Sequence, residues 1–172
     1  MIRILVLAAV ALATVGASCG SAATSAAGPC KASQLSGTFK AIPGSEGAGN
    51  IVYALVVKNR STTTCTLTGL PHGKLLNANG KAQPTHVIAA NKGALTAVLV
   101  HLTPGHTSRA TARFSPDVPG VGEGAAGKQC EPTSYGFRVS APGGGTFTVK
   151  LSPATPVCEH GQLQFTAYGG NG

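Results

Sequence analysis

Tryptophan is absent, methionine occurs only at position 1, and just five side chains carry a carboxylate: Glu46, Asp117, Glu123, Glu131 and Glu159. Each shortage excludes something. Carboxylate acid–base chemistry uses Asp and Glu paired at defined separations, and these five show no such spacing. A Ser-His-Asp apparatus would have to use Asp117, the sole aspartate, or a glutamate, and no Gly-x-Ser-x-Gly elbow is present. A methionine confined to the leader leaves no thioether for a soft-metal carrier. Only 10% of residues are charged, yet 13 Lys and Arg against the five acids give a net charge of +8. That basicity is a scarcity of acid, because no run of Lys or Arg occurs. Nucleic-acid binders cluster their basic residues and add aromatics, and here the aromatics are 5%. The expectations are therefore no enzymatic activity, no cofactor and no nucleic-acid partner, with a mild attraction to anionic polymers or headgroups.

No apolar stretch is long enough to cross a bilayer. Ile4–Val15 has twelve residues, against the roughly 20 a spanning helix needs. With Arg3 ahead of it and Gly16, Ala17 and Ser18 behind, residues 1–18 read as a secretory signal peptide. Val15-Gly16-Ala17-Ser18-Cys19 resembles a bacterial lipobox, in which the cysteine becomes the lipidated first residue and anchors the chain to the membrane. Ordinary secretion, with cleavage after Ala17 or Ala23, is the alternative. Cysteine arithmetic bears on the choice: five is odd, and lipidating Cys19 leaves Cys30, Cys65, Cys130 and Cys158. Residues 19–29 are then a small-residue tether, and 30–172 a single domain. Four cysteines in an exported chain imply two disulfides. Of the three connectivities we expect Cys30–Cys65 and Cys130–Cys158, since each ties neighbouring strands and the two do not cross. Each would close a loop of roughly 30–35 residues, worth about 3–4 kcal/mol in the chain-entropy model.

The chain is organised around residues 50–71. In Ile51–Lys58, Ile51, Tyr53, Leu55 and Val57 point one way and Val52, Ala54, Val56 and Lys58 the other. Both sides are apolar up to Lys58, which predicts a central strand. In Thr62–Gly69 a hydroxyl row is expected to face water while Cys65 and Leu67 face a core. Further strands are expected over Gln34–Phe39, Gly73–Asn77, Lys81–Ile88 returning beside it, and the apolar run Ala94–Leu102. Thr107–Ser115, Tyr135–Ala141, Thr146–Leu151 and Gln162–Tyr168 alternate clearly. Residues 116–129 read as a long loop. With no convincing helix, the pattern predicts an all-β, immunoglobulin-like antiparallel β-sandwich of about eight or nine strands.

These strands also carry a family pattern: Val56-Val57-Lys58-Asn59, then Cys65-Thr66-Leu67-Thr68-Gly69-Leu70-Pro71, then Leu102-Thr103-Pro104-Gly105, Cys130, Phe137-Arg138-Val139 and Val157-Cys158. From Cys30 to about Tyr168 the chain is similar to the actinobacterial "domain of unknown function 4232" family of secreted proteins and lipoproteins. The resemblance implies an all-β fold and placement in the cell envelope. It supplies no activity and no catalytic residues.

Candidate sites are few. His72, His86, His101, His106 and His160 show no zinc spacing; His101 and His106 flank a Pro-Gly turn and are read as solvated. Asn59-Arg60-Ser61 fits a glycosylation sequon, and a turn asparagine is the better reading. Arg109, Arg113, Arg138 and Lys150 take outward strand positions and would form one basic face if their strands share a sheet. An anionic cell-wall polymer or an envelope protein is the partner class expected. A wall-acting hydrolase is the alternative function, and a periplasmic metal carrier the third. The leader reading predicts that chain recovered from its own membranes starts at lipidated Cys19 with four oxidised cysteines. Intact mass checks this, and a chain starting at Ser18 or Thr24 without lipid would contradict it.

Overall fold

The computed structural model describes residues 26–91, 93, 98–124 and 130–169. Residues 1–18, read above as a signal peptide, Cys19, positions 94–97 of the expected Ala94–Leu102 strand and positions 125–129 of the long loop lie outside the described residues. Ten strands follow in order: β1 (Leu35–Ala41), β2 (Ile51–Asn59), β3 (Cys65–Leu67), β4 (His72–Leu76), β5 (His86–Ala89), β6 (Val100–Leu102), β7 (Thr107–Phe114), β8 (Ser134–Ser140), β9 (Thr146–Thr155) and β10 (Gln162–Phe165). Among the described residues, helix is confined to short turns at Ala32–Gln34 and Cys158–Gly161. Eight strands form one sheet in the order β4-β8-β9-β1-β2-β7-β10-β5, and β3 pairs with β6.

The inward rings show how that sheet is disposed. Phe39 on β1 packs against Phe137 of β8 at 5.6 Å between centroids and against Phe165 of β10 at 5.9 Å. Phe137 and Phe165 meet each other at 5.8 Å. Strands far apart in the order thus touch through their inward side chains, so the sheet folds over with β1 at the bend. The fold is an all-β, immunoglobulin-like sandwich, with β4-β8-β9 facing β2-β7-β10. Tyr53 and Phe114 extend the ring cluster, and Cys65, Leu67 and Leu102 bring the β3–β6 pair onto the same core.

The strongest sequence pattern lands where its two-sided apolarity requires. β2 lies between β1 and β7; Ile51, Tyr53, Leu55 and Val57 are buried and Val52, Ala54 and Val56 half-buried. Both expected disulfides are present, Cys30–Cys65 and Cys130–Cys158. Paired cysteines of this kind are the mark of an oxidising, exported setting. Among the described residues no helix is long and apolar enough to cross a membrane.

Other expectations are corrected. Two pairings are parallel, β1 with β9 and β10 with β5. The segment after the Asn77–Gly80 turn forms no strand beside β4; it is held there by a Leu76–Ala82 bridge and by Gln83 and Thr85 on the Leu75 backbone. It then leaves to pair with β10, with His86 to Ala89 in parallel register with Gln162 to Phe165. Thr66 is not in the water-facing row: it is 7% exposed, its N–H donating to Gly28 and its carbonyl accepting from Cys30. The chain entering the domain covers it. Asn59 is fully buried, donating to Thr63 and Leu102 carbonyls at 2.8 Å and accepting from the Ser61 N–H and hydroxyl. It is a clasp of the β2–β3 turn, with no side chain offered to a glycan.

Phe39 sits where the two layers meet, so removing its ring opens a cavity under both. Phe39→Ala is expected to cost about 3–5 kcal/mol, and Thr38→Ala beside it, on the exposed side, less than about 0.5 kcal/mol. Urea unfolding of the two variants checks the difference.

Candidate functional site

Two arrangements of chemistry-bearing side chains emerge. The first is built on the turn after β9. Glu159, His160 and Gly161 all have positive φ, at 55°, 57° and 76°. Such backbone in non-glycine residues costs on the order of 1–2 kcal/mol each and persists where something holds it. Gly161 has no alternative, since a Cβ there would lie 2.0 Å from the Pro84 carbonyl oxygen. Successive residues of this kind aim their N–H groups together and form an anion-binding concavity.

The anion in it is Glu123. One carboxylate oxygen accepts from the N–H of Gly120 and of Glu159, both at 2.7 Å. The other accepts from the N–H of His160 and lies 3.4 Å from its Nδ1. The Cys130–Cys158 bond brings Glu131 alongside, and the ligating atoms of Glu123, Glu131 and His160 lie within 4.8 Å of one another. Burial pushes the Glu123 carboxyl up, but the N–H donors of Gly120, His160 and Glu159, with the His160 imidazole, outweigh it and hold the group below the usual carboxylate value. Burial raises Glu131, as do its hydrogen bond to Glu123 and the repulsion between them; His160 opposes the shift. The chemistry this allows is chiefly internal. Both oxygens of Glu123 are already engaged by N–H donors, so the carboxylate pins residues 120–123 to the 158–161 turn. The two carboxyls touch, whereas glycosidase pairs stand about 5–9.5 Å apart.

Sequence spacing alone does not reveal this trio. The disulfide held the signal for part of it: joining Cys130 to Cys158 sets Glu131 beside Glu159 and His160. Nothing in the sequence marks Glu123 as their partner. The other histidines stay apart from it: the His106 ring turns back on Thr103 and Pro104, and His101 sits in β6 opposite Thr66.

The second arrangement is the outer surface of β1, β2 and β7. Register places Lys40 opposite Ala54, and Ala54 opposite Thr111. One row along, Thr38, Val56 and Arg109 align; beyond these, Ser36, Lys58 and Thr107 align, and on the other side Val52 meets Arg113. Lys40, Lys58, Arg109 and Arg113 are all exposed. They frame half-buried Val52, Ala54 and Val56 on a patch of roughly 20 by 10 Å. None of the five acids lies in a strand, so none comes from β1, β2 or β7; Glu46 and Asp117 line a hollow with Ile51 beyond the Val52 end.

The four cations expected to form one face are thus divided. Arg109 and Arg113 stay together. Lys150, on β9, lies on the strand next to β1 and flanks the patch. Arg138 points outward from β8, whose inward ring faces β10 across the core, so it is turned away; its Nη2 donates to Gly80 at 3.0 Å. The structure recruits Lys40 and Lys58 instead.

Fold and cysteine pairing define a disulfide-stapled β-sandwich of the kind made for an oxidising, exported setting. The family model described as "Domain of unknown function (DUF4232)" matches residues 30–169. The chain belongs to that family. No curated protein and no solved structure matches it.

Glu123, held low, contributes stability in full above the unfolded glutamate pKa of about 4.3 and loses it as pH falls through the lower folded value. Glu131, held high, acts oppositely: its contribution is complete at low pH and fades as pH rises through the raised value. Glu123→Gln is expected to cost about 1–3 kcal/mol at pH 7, with the deficit shrinking as pH falls below the unfolded glutamate pKa of about 4.3. Glu131→Gln should gain on wild type as pH rises. Thermal melts across pH 3–8 check both trends.

Proposed function

We propose that this chain is a non-enzymatic binding module of an actinobacterial cell envelope. It holds an anionic wall polymer against the outer face of β1, β2 and β7. Its signal peptide exports it, and lipidated Cys19 with the 19–29 tether keeps it at the membrane. The observation that carries the reading is the patch itself: Lys40, Lys58, Arg109 and Arg113 exposed on one sheet surface, with every carboxylate of the chain confined to loops and turns. A flat surface with charges spaced over several strands suits a repeating polyanion better than a small molecule, which needs a concave site. The half-buried Val52, Ala54 and Val56 give a sugar ring or backbone an apolar floor. Attraction of this kind is long-range and salt-sensitive.

The alternative, a wall-acting hydrolase, would rest on the Glu123–Glu131 carboxyl pair. A metal carrier, third in order, would rest on the same two groups with His160. Both meet one objection: one oxygen of Glu123 already accepts two backbone N–H groups and the other accepts a third, which compete with a substrate proton or a metal for that carboxylate.

The test is retention on purified cell wall at low salt. Arg109→Glu with Arg113→Glu is expected to weaken retention at least tenfold, and Arg138→Glu to leave it unchanged. Equal retention of all three proteins removes the reading.

A further inference from the structure

The eight-stranded sheet ends in two strands that do not pair with each other, β4 and β5. They are clipped at one point, where the Leu75 N–H donates to the Thr85 hydroxyl and the Leu75 carbonyl accepts from the Gln83 N–H. From that clip the edges run on through Gly73 and Val87 and border an open groove of about 450 Å³. Along an extended strand, backbone N–H and C=O groups turn to alternate sides every residue. Leu75 turns its pair away from β8, so Gly73, two residues back, does the same. The Ala90 N–H donates to Phe165 of β10, so His86 and Ile88 also face β10 and Val87 faces the groove. Two sheet edges therefore present to the same space backbone groups that have no ladder partner among the described residues.

We propose that this groove is a strand-addition site for an extended, acidic segment of a partner protein. Backbone donors and acceptors at strand spacing are matched in register by another polypeptide backbone, and edge pairing of this kind is a known mode of peptide capture. The side chains set the charge of the occupant. Lys74, His72 and His86 line the groove with the Thr85 and Ser140 hydroxyls, and no carboxylate does. Glycine at 73 lets β4 lie close on β8, since a Cβ there would be 2.3 Å from the Arg138 carbonyl oxygen and 2.7 Å from the Phe137 ring. This groove is separate from the cationic patch on β1, β2 and β7, so either can fail without the other.

The test uses the full mature chain, labelled with ¹⁵N, and the probe peptide acetyl-Thr-Glu-Val-Glu-Val-Glu-Thr-amide. The probe is expected to slow hydrogen exchange of the Gly73 and Val87 amides at least tenfold. Lys74→Glu with His86→Glu should weaken binding at least tenfold while leaving the melting temperature unchanged. A probe with Lys in place of Glu should not protect. Three results would overturn the proposal. One is no protection at saturating probe. Another is equal protection by the Lys peptide or by a soluble polyuronate. The third is protection that rises with protein concentration alone, which would mean a second copy of the chain fills the edge.

Discussion

The contact of Phe39 with Phe137 and Phe165 is the constraint from which the rest follows. These rings come from β1, β8 and β10, which no ladder joins to one another. To bury them together the sheet must bend at β1 and fold its two wings face to face. Fully burying a ring of this size stabilises by about 1.5–3 kcal/mol, and ring pairs add about 0.5–1.5 kcal/mol. That is a considerable part of the 5–15 kcal/mol by which a domain is stable. The disulfides fasten what the rings dictate: one joins the domain's entry to β3, the other joins the long loop to the turn before β10.

Folding the sheet also decides what the exterior can be. Once alternate residues of β1, β2 and β7 are committed inward, their neighbours must face out, and these include Lys40, Lys58, Arg109 and Arg113. The acids are excluded from strands, so the charged side chains these three strands turn outward are all basic. The same bend leaves β4 and β5 close but unmated, and the groove between them is the seam of an incompletely closed sheet.

Much of this was legible in period-two patterning. β2 announced itself by being apolar on both sides, and β7 and β9 by strict alternation. Their inward residues are those that pattern marks. The disulfides were legible from export and from the order of the cysteines. What was not legible depends on distance in space. Thr66 reads as water-facing until the chain before Cys30 lies over it. The segment after Gly80 reads as a hairpin return until β10 claims it. The basic face was half-read: Arg109 and Arg113 share a strand, but whether Arg138 joins them depends on which way the sheet bends. The Glu123–Glu131–His160 trio was hidden for a different reason. It is held by backbone N–H groups of a left-handed turn, and side-chain identity carries little trace of such a turn.

Folding a single sheet around Phe39 leaves a cationic surface on β1, β2 and β7, which we propose is the binding face. Mapping amide chemical-shift changes of the ¹⁵N-labelled chain on titration with polyglycerol phosphate tests it most directly. Shifts concentrated at 38–40, 52–58 and 109–113, and suppressed by added salt, are predicted. Shifts centred on Glu123, Glu131 and His160, or none at all, would contradict it.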